Sequence, residues 1–120
     1  IERMDREIAA EKLAHRFFSK EDQRILRGLT KEELRMKVLE IWIRKEAAIK
    51  WQKGNISKDL TFWNCGKDNK SATHTLLGHE VSIYQKNFSD WNIAIAYEKK
   101  FQPSLPIICI DNNFPTCNLN

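Results

Sequence analysis

Hydrophobic residues recur at helical spacing through the first half of the chain. From about Glu7 to Phe18 they return near every 3.6 residues, which predicts an amphipathic helix. Ser19 is a good N-cap for a second, short helix, with Asp22 at the third position as in a capping box, and this helix stops at Gly28. The apolar positions of the first helix are Ile8, Leu13, Ala14 and Phe17.

The longest helical pattern begins at a capping box formed by Thr30 and Glu33 and runs to about Trp51, where Gly54 closes it. Glu46 falls on the apolar side of this helix and not on its polar face. A carboxylate in such a position, flanked by cations, makes it the first candidate for chemistry. The apolar positions around it are Leu34, Val38, Leu39, Ile41, Trp42 and Ile49.

Beyond this helix the pattern changes to the alternation that is typical of half-buried strands. Two of the alternating runs are separated by a short polar turn and predict an antiparallel hairpin. Within the second run, Ala94 and Ala96 are small, which indicates that another element packs closely on their side. The predicted strands are Leu60–Trp63, Glu80–Gln85, Trp91–Tyr97 and Leu105–Ile110.

Helices followed by strands predict an α+β fold with the helices packed on one face of a small antiparallel sheet. The 120 residues suit one domain, which we assign to residues 1–111, with residues 112–120 as a loose polar tail. The charged opening from Ile1 to Arg6 is not a signal peptide, and no apolar run approaches the roughly 20 residues of a membrane helix. We therefore expect a cytoplasmic protein without a membrane partner. The opening also lacks an initiator Met, so we expect a fragment or a processed product.

The net charge of +4 belongs entirely to the helical half of the chain. Residues 1–60 contain 15 Lys and Arg against 11 Asp and Glu, whereas residues 61–120 contain 5 of each. A basic excess attracts an anionic ligand, an acidic protein or nucleic acid, but here opposite charges are interleaved, which disfavours nucleic acid. The three cysteines, Cys65, Cys109 and Cys117, lack metal-type spacing and favour reduced thiols.

Two interpretations of Glu46 remain open from the residues alone. It could be an ordinary i, i+4 partner of Lys50 on an amphipathic helix, an interaction worth a few tenths of a kcal/mol. Alternatively, it could bind a hard cation such as Mg²⁺ while nearby lysines hold phosphate oxygens. The second interpretation needs another acid, and Glu2 is the candidate.

Three motifs in the chain together carry a resemblance to a known family. They are Ile1-Glu2, His15-Arg16-Phe17-Phe18-Ser19 with Glu21, and Trp42-x-x-Lys45-Glu46-Ala47-x-x-Lys50 with the later Gly54. They resemble, in order, the end of the Gly-x-Asp-x-Glu motif, the Arg-Phe-Phe-Ser segment and the Trp-x-x-Lys-Glu-Ala-x-x-Lys motif of 4′-phosphopantetheinyl transferases. The resemblance covers residues 1–100 and is to the C-terminal half of the larger, surfactin-synthetase-activating, pseudo-dimeric type.

The resemblance implies transfer of the phosphopantetheine arm of coenzyme A to a serine of an apo carrier protein. It implies that Glu2 and Glu46 bind Mg²⁺ and that Glu46 also helps to deprotonate the serine. Lys50 is then a catalytic and phosphate-binding residue, and Lys45 adds positive charge to the substrate site. The first helix, from about Asp5 to Phe17, resembles the surface that docks an acidic acyl or peptidyl carrier protein. The cations implied in docking are Arg3, Arg6, Lys12 and Arg16.

The resemblance also implies that the site is incomplete. The Gly-x-Asp of the first motif does not precede Ile1 in this sequence, and the larger enzymes bind coenzyme A between two halves. We therefore expect this chain to need the missing N-terminal half, or a self-associating copy, and to be inactive alone. Two other classes of function remain as alternatives: a catalytically inactive protein-binding module, and a small basic nucleic-acid-binding domain.

Overall fold

Four helices and a five-stranded antiparallel sheet make up most of the described part of the chain, which confirms the α+β prediction. The structure is a computed structural model that describes residues 1–66 and 68–98, and the backbone of residues 108–110 and 117–119. The helices are α1 (Ala10–Phe17), α2 (Lys20–Ile25), α3 (Lys31–Gln52) and α4 (Ile56–Asp59). The strands are β1 (Glu2–Arg3), β2 (Trp63–Asn64), β3 (Ser71–His74), β4 (Glu80–Phe88), β5 (Trp91–Tyr97), β6 (Ile108–Ile110) and β7 (Cys117–Leu119).

The first helix begins three residues later than its hydrophobic pattern predicts. The segment ahead of α1 is held on α3 instead, because Nη1 of Arg35 donates hydrogen bonds to the carbonyl oxygens of Met4 (2.6 Å) and Arg6 (2.9 Å). A guanidinium presents several donors in a fixed geometry, so a single side chain secures two carbonyls of this turn. The tertiary contact therefore shortens the helix from its N-terminal end.

The caps of α2 and α3 follow the sequence signals at their N-terminal ends. Ser19 Oγ accepts the amide of Asp22 (3.2 Å), and Thr30 and Glu33 form the reciprocal capping box. The C-terminal end of α3 differs from the prediction. Lys53, and not Gly54, takes the left-handed conformation (φ 59°) that ends the helix.

The strand order in the main sheet is β1-β5-β4-β3-β2, and each pairing is antiparallel. Strands β4 and β5 form the predicted hairpin, in which Phe88 lies opposite Trp91 across a two-residue turn. Helix α3 lies against this hairpin, and Ala94 and Ala96 pack on the apolar core beneath it. Small side chains at these positions allow the helix backbone to approach the sheet closely.

The segment between α3 and β4 is the part that the hydrophobic pattern predicts least well. The short helix α4 precedes the predicted strand Leu60–Trp63, of which residues 60–62 form a turn and Trp63 begins β2. Strand β3 was not predicted. In β3 only Ala72 and His74 point into the core, so the alternation is too short and too polar to be recognised. Strands β6 and β7 pair with each other. The predicted boundary at residue 111 and most of the predicted tail lie outside the described residues.

His74 is buried with both ring nitrogens occupied. Its Nδ1 accepts the amide of Leu77 (3.0 Å), so the proton lies on Nε2, which donates to Asp59 Oδ1 (3.1 Å). Burial alone would raise the pKa of Asp59, but hydrogen bonds from Asn55, His74 and Gln52 outweigh it and hold the pKa below its usual value. These contacts tie α4 to the turn after β3 and leave His74 no nitrogen for a metal.

An ion pair between Asp22 of α2 and Lys45 of α3 lies within the apolar core. Both side chains are buried, with Lys45 Nζ 2.6 Å from Asp22 Oδ2. Lys45 also donates to the carbonyl oxygens of Leu60 (3.0 Å) and Trp63, and Asp22 accepts the amides of Cys65 and Gly66. The charges are thereby compensated by hydrogen bonds as well as by each other, which a buried ion pair requires.

The Cys65 thiol beside this ion pair is fully buried. Burial raises the pKa of Cys65 to about 12, more than the nearby Lys45 lowers it. Cys65 is a free cysteine in the described part of the chain, as the sequence favours. Among the described helices, none is both long and apolar enough to cross a membrane.

Removing the acid of the buried pair should destabilise the fold severely. In Asp22→Ala the Lys45 ammonium loses its counter-charge, and such a loss costs about 3–5 kcal/mol in free energy of unfolding. Urea denaturation followed by circular dichroism measures the change. Glu11→Ala, an exposed acid of the neighbouring α1, is the matched control and should stay within about 0.5 kcal/mol of the parent. Equal stability of the two variants would contradict the role assigned to Asp22.

Candidate functional site

The two predicted metal ligands and Lys50 line one small pocket at the edge of the sheet. Its volume is about 50 Å³, and it lies where β1, the middle of β5 and the second half of α3 meet. Residues Glu2 and Glu46, far apart in sequence, face the same space. The lining residues are Ile1, Glu2, Ile43, Glu46, Ala47, Lys50 and Ala94.

Glu46 is half-buried on the side of α3 that faces the sheet edge. It follows Ile43 by three residues and precedes Lys50 by four, so all three lie along one face of the helix. Within residues 1–66 and 68–98, no ion pair joins Glu46 to Lys50. The plain i, i+4 partnership is therefore not what the structure contains, and Glu46 is directed to the pocket.

The register of β1 explains why Glu2 faces the same pocket. Glu2 lies opposite Asn92 on β5, and Arg3 lies opposite Trp91. Opposed residues of antiparallel strands share a face of the sheet, and successive residues alternate between faces. Glu2 therefore points to the α3 side with Asn92, whereas Arg3 points to the other side, where its guanidinium lies 5.4 Å from the centre of the Trp91 ring.

The side chain of Glu2 is already engaged by a cation. Arg6 Nη1 donates to Glu2 Oε2 at 3.1 Å, and a quarter of the Glu2 side chain remains exposed. This contact was not predicted from the sequence. A spacing of four residues usually indicates an ion pair on a helix. Here the ion pair joins a residue of β1 to a residue of the turn that follows it.

Lys45 does not reach the pocket, which corrects the prediction that it adds charge to a substrate site. Its side chain is fully buried and its ammonium is held by Asp22 and two backbone carbonyls. Neighbouring residues of an α-helix point about 100° apart, so Lys45 and Glu46 serve different sides of α3. Sequence analysis missed Asp22 as its partner because the capping role of Asp22 already accounted for an acid at that position.

The structure divides the four cations predicted to dock a carrier protein into two groups. Arg3 binds Asp5 (2.8 Å), and this hydrogen bond holds the pKa of Asp5 below its usual value, while Arg6 binds Glu2. Lys12 and Arg16 are exposed on α1 and form no ion pair within the described ranges. Among the four, Lys12 and Arg16 can therefore bind a partner without breaking an ion pair of the described residues, although the Arg16 guanidinium lies 5.0 Å from the centre of the Phe17 ring.

Two larger grooves, of about 590 and 580 Å³, flank α1 and contain neither Glu2 nor Glu46. The first has an apolar floor that includes Leu26 and Leu34 and a basic rim. The cations of this rim are Lys20, Arg24 and Arg27, none of which the sequence analysis selected. The second is lined by Glu7, Glu11 and Glu32, but these acids form no group that could hold a metal among the described residues. The smaller pocket contains the acids and the lysine of the sequence motifs and is therefore the better candidate for chemistry.

Other pocket residues were missed because they carry no reactive group. Ile43 and Ala47 present the apolar side of α3, and Ala94 fills the space between helix and strand. The small size of Ala94 was the one signal in the sequence, since it indicates a close approach. Which residue lies opposite Ala94 could be learned only from the packing of α3 on β5.

Comparison with protein families gives a match to the model of the 4′-phosphopantetheinyl transferase superfamily over residues 1–96. This region contains β1, all four helices and most of β5, and therefore the whole candidate pocket. Searches of curated proteins and of solved structures found no match.

The two lysines of the motif should respond differently to the same substitution. Lys50→Met should leave the urea midpoint near that of the parent, because Lys50 is exposed, and should weaken binding of an anionic ligand at the pocket. Lys45→Met should instead lower stability, because it leaves the Asp22 carboxylate buried and unpaired. Unfolding curves and calorimetric titration with pyrophosphate and Mg²⁺ measure the two effects. A pair of variants with the same stability loss would contradict this assignment.

Proposed function

The chain belongs to the 4′-phosphopantetheinyl transferase superfamily, and from this premise we propose that it transfers 4′-phosphopantetheine from coenzyme A to a carrier-protein serine. The serine oxygen forms the new bond to phosphorus, the pyrophosphate bond breaks, and adenosine 3′,5′-bisphosphate leaves. Membership supports phosphopantetheine transfer in general. The specific proposal, transfer from coenzyme A to a carrier protein with the help of Mg²⁺, rests on one observation: Glu2, Glu46 and Lys50 line the same pocket. Two acids and a lysine at one point are what a metal-assisted transfer of a phosphate-linked group requires.

The donor set of the pocket fits Mg²⁺. Carboxylate oxygens are hard ligands, and Mg²⁺ in proteins is commonly held by one or two carboxylates together with substrate phosphates. The described residues contain no group of three or more His, Cys, Asp or Glu placed to hold a metal, so Glu2 and Glu46 need oxygens from elsewhere. We propose that the pyrophosphate of coenzyme A supplies them. When bound, Mg²⁺ neutralises the negative charge that develops on the phosphate oxygens during transfer.

Lys50 and Glu46 have separate tasks in this proposal. Lys50 is exposed at the mouth of the pocket, where its ammonium binds and orients a phosphate of coenzyme A as a point charge. Glu46 accepts the proton of the incoming serine hydroxyl, directly or through a water molecule. Positioning and charge neutralisation account for most of the catalysis of such transfers, so these few groups suffice.

The size of the pocket supports a site shared with a second unit. Its volume of about 50 Å³ is far below the roughly 300–1,000 Å³ of typical small-molecule sites. We propose that this chain supplies the C-terminal half of a pseudo-dimeric enzyme, and that an N-terminal half or a second copy supplies the other walls.

An acidic acyl or peptidyl carrier protein docks on the side of α1 that carries Lys12 and Arg16. The free thiol of Cys65 supports a cytoplasmic location.

Replacing the pocket carboxylate of α3 should remove most of the activity. In the enzyme with both halves present, Glu46→Gln should lower kcat/KM for carrier modification by about 10²–10³-fold, since it deletes a metal ligand and the proton acceptor. Incorporation of labelled phosphopantetheine into an apo carrier protein measures the rate. The matched control is Glu40→Gln, an acid of the same helix that lies outside the pocket.

Near-native transfer by Glu46→Gln, or an equal loss in Glu40→Gln, would exclude Glu46 as ligand and base. Coenzyme A binding that does not depend on Mg²⁺ would favour the inactive protein-binding module over an enzyme. Steep salt-dependent binding to DNA or RNA would favour the nucleic-acid-binding alternative.

The 120-residue chain alone should show little or no turnover with coenzyme A, Mg²⁺ and an apo carrier protein. The pocket lacks the walls needed to hold coenzyme A, so substrate positioning, which supplies much of the rate, is missing. Addition of a matching N-terminal half in trans should restore activity in the same assay. Ordinary rates from the monomeric chain alone would disprove the shared-site proposal.

A further inference from the structure

We propose that Arg6 couples the metal pocket to the carrier-docking surface. In the absence of a partner it holds the Glu2 carboxylate, and an acidic partner that draws the guanidinium away frees Glu2 for the cation. Arg6 is thus a positioning residue that acts through Glu2. The inference rests on the proposed function, because it assumes that Glu2 contributes to a divalent-cation site.

The Arg6–Glu2 contact joins two features that the sequence treats as separate. Arg6 Nη1 lies 3.1 Å from Glu2 Oε2, so one of the two carboxylate oxygens is occupied. The same carboxylate lines the pocket that contains Glu46 and Lys50. A docking cation and a metal ligand are therefore in direct contact.

The backbone around Arg6 is fixed, so the contact follows from the fold. Arg35 of α3 donates to the carbonyl oxygens of Met4 and Arg6, and the amide of Met4 donates to the carbonyl oxygen of Asp90. These bonds hold the turn between β1 and α1 from both sides. The Arg6 side chain then returns over the strand to Glu2.

A guanidinium in this position opposes the binding of a divalent cation. It removes one oxygen from the set available to the metal, and its own charge repels a second cation a few ångströms away. The Lys50 ammonium at the same pocket adds to the positive charge. Binding of a metal therefore requires the pair to open or to weaken.

An acidic partner removes this opposition. More than half of the Arg6 side chain is exposed (56%), so its guanidinium is free to turn outward toward carboxylates of a docked protein. Arg3 does not compete for this role, because its guanidinium is held by Asp5 on the other side of the strand. Since coupling between two ligands is reciprocal, a bound metal in turn releases Arg6 to the partner.

The coupling is modest because the ion pair is partly exposed. Pairs of this kind are worth about 0.2–1 kcal/mol, which corresponds to an effect on affinity of up to about fivefold. An effect of this size makes the binding of the metal and of the acidic partner favour each other without preventing either ligand from binding alone.

Mn²⁺ titration followed by electron paramagnetic resonance tests the proposal without any turnover. Arg6→Gln should bind Mn²⁺ about two- to fivefold more tightly than the parent chain, and Arg6→Lys, which keeps the charge, should bind nearly as the parent does. Arg27→Gln is the matched control, an exposed arginine that lies outside both the metal pocket and the docking surface, and it should not change the affinity. In a Glu2→Gln background the effect of Arg6→Gln should vanish.

A second arm adds a serine-to-alanine variant of an acidic acyl carrier protein, which cannot be modified. It should raise the Mn²⁺ affinity of the parent chain and leave that of Arg6→Gln unchanged. Equal or weaker Mn²⁺ binding by Arg6→Gln would overturn the coupling and leave the proposed function standing. With the second half of the enzyme present, failure of both the parent and Arg6→Gln to bind Mn²⁺ in the presence of coenzyme A would overturn the proposed function, and the coupling with it.

Discussion

The buried ion pair between Asp22 and Lys45 is the interaction on which the rest of the structure depends. It joins α2 to α3, and through the carbonyls of Leu60 and Trp63 it joins both helices to the far edge of the sheet. An unpaired charge in the core is costly, so the pair fixes the rotation of α3 about its axis. Because adjacent helical residues differ by about 100°, fixing Lys45 on one side directs Glu46 to the opposite edge of the sheet.

The candidate site follows from this rotation together with the register of one short strand. Strand β1 has only two residues, yet its pairing with β5 decides that Glu2 and not Arg3 faces α3. The small Ala94 lies between strand and helix, and the two carboxylates line the same pocket there. The secondary structure alone does not determine where either carboxylate lies. The pocket forms because the rotation of α3 and the register of β1 turn Glu46 and Glu2 toward the same space.

The turn between β1 and α1 links the pocket to the outer surface of the molecule. Arg35 holds this turn on α3 and shortens α1, and the same geometry brings Arg6 back over Glu2. The four cations that the sequence assigns to carrier docking therefore fall into two groups, one in ion pairs and one without. Arg3 and Arg6 are engaged with acids of the chain itself, whereas Lys12 and Arg16 face solvent. The electrostatic surface offered to a partner is smaller than the count of cations suggests.

The sequence by itself determined the α+β class, the caps of α2 and α3, the β4–β5 hairpin and the motifs that indicate the family, because these depend on local patterns. Only the tertiary structure decided that Lys45 is a core residue, that β3 exists and that Arg6 binds Glu2. Apolar residues surround α3 on nearly every side, as Ile41, Trp42 and Ile43 illustrate, so periodicity does not choose between Lys45 and Glu46. Lys45 is the buried residue because it forms an ion pair with Asp22 of α2. This contact between two helices exists only in the folded chain.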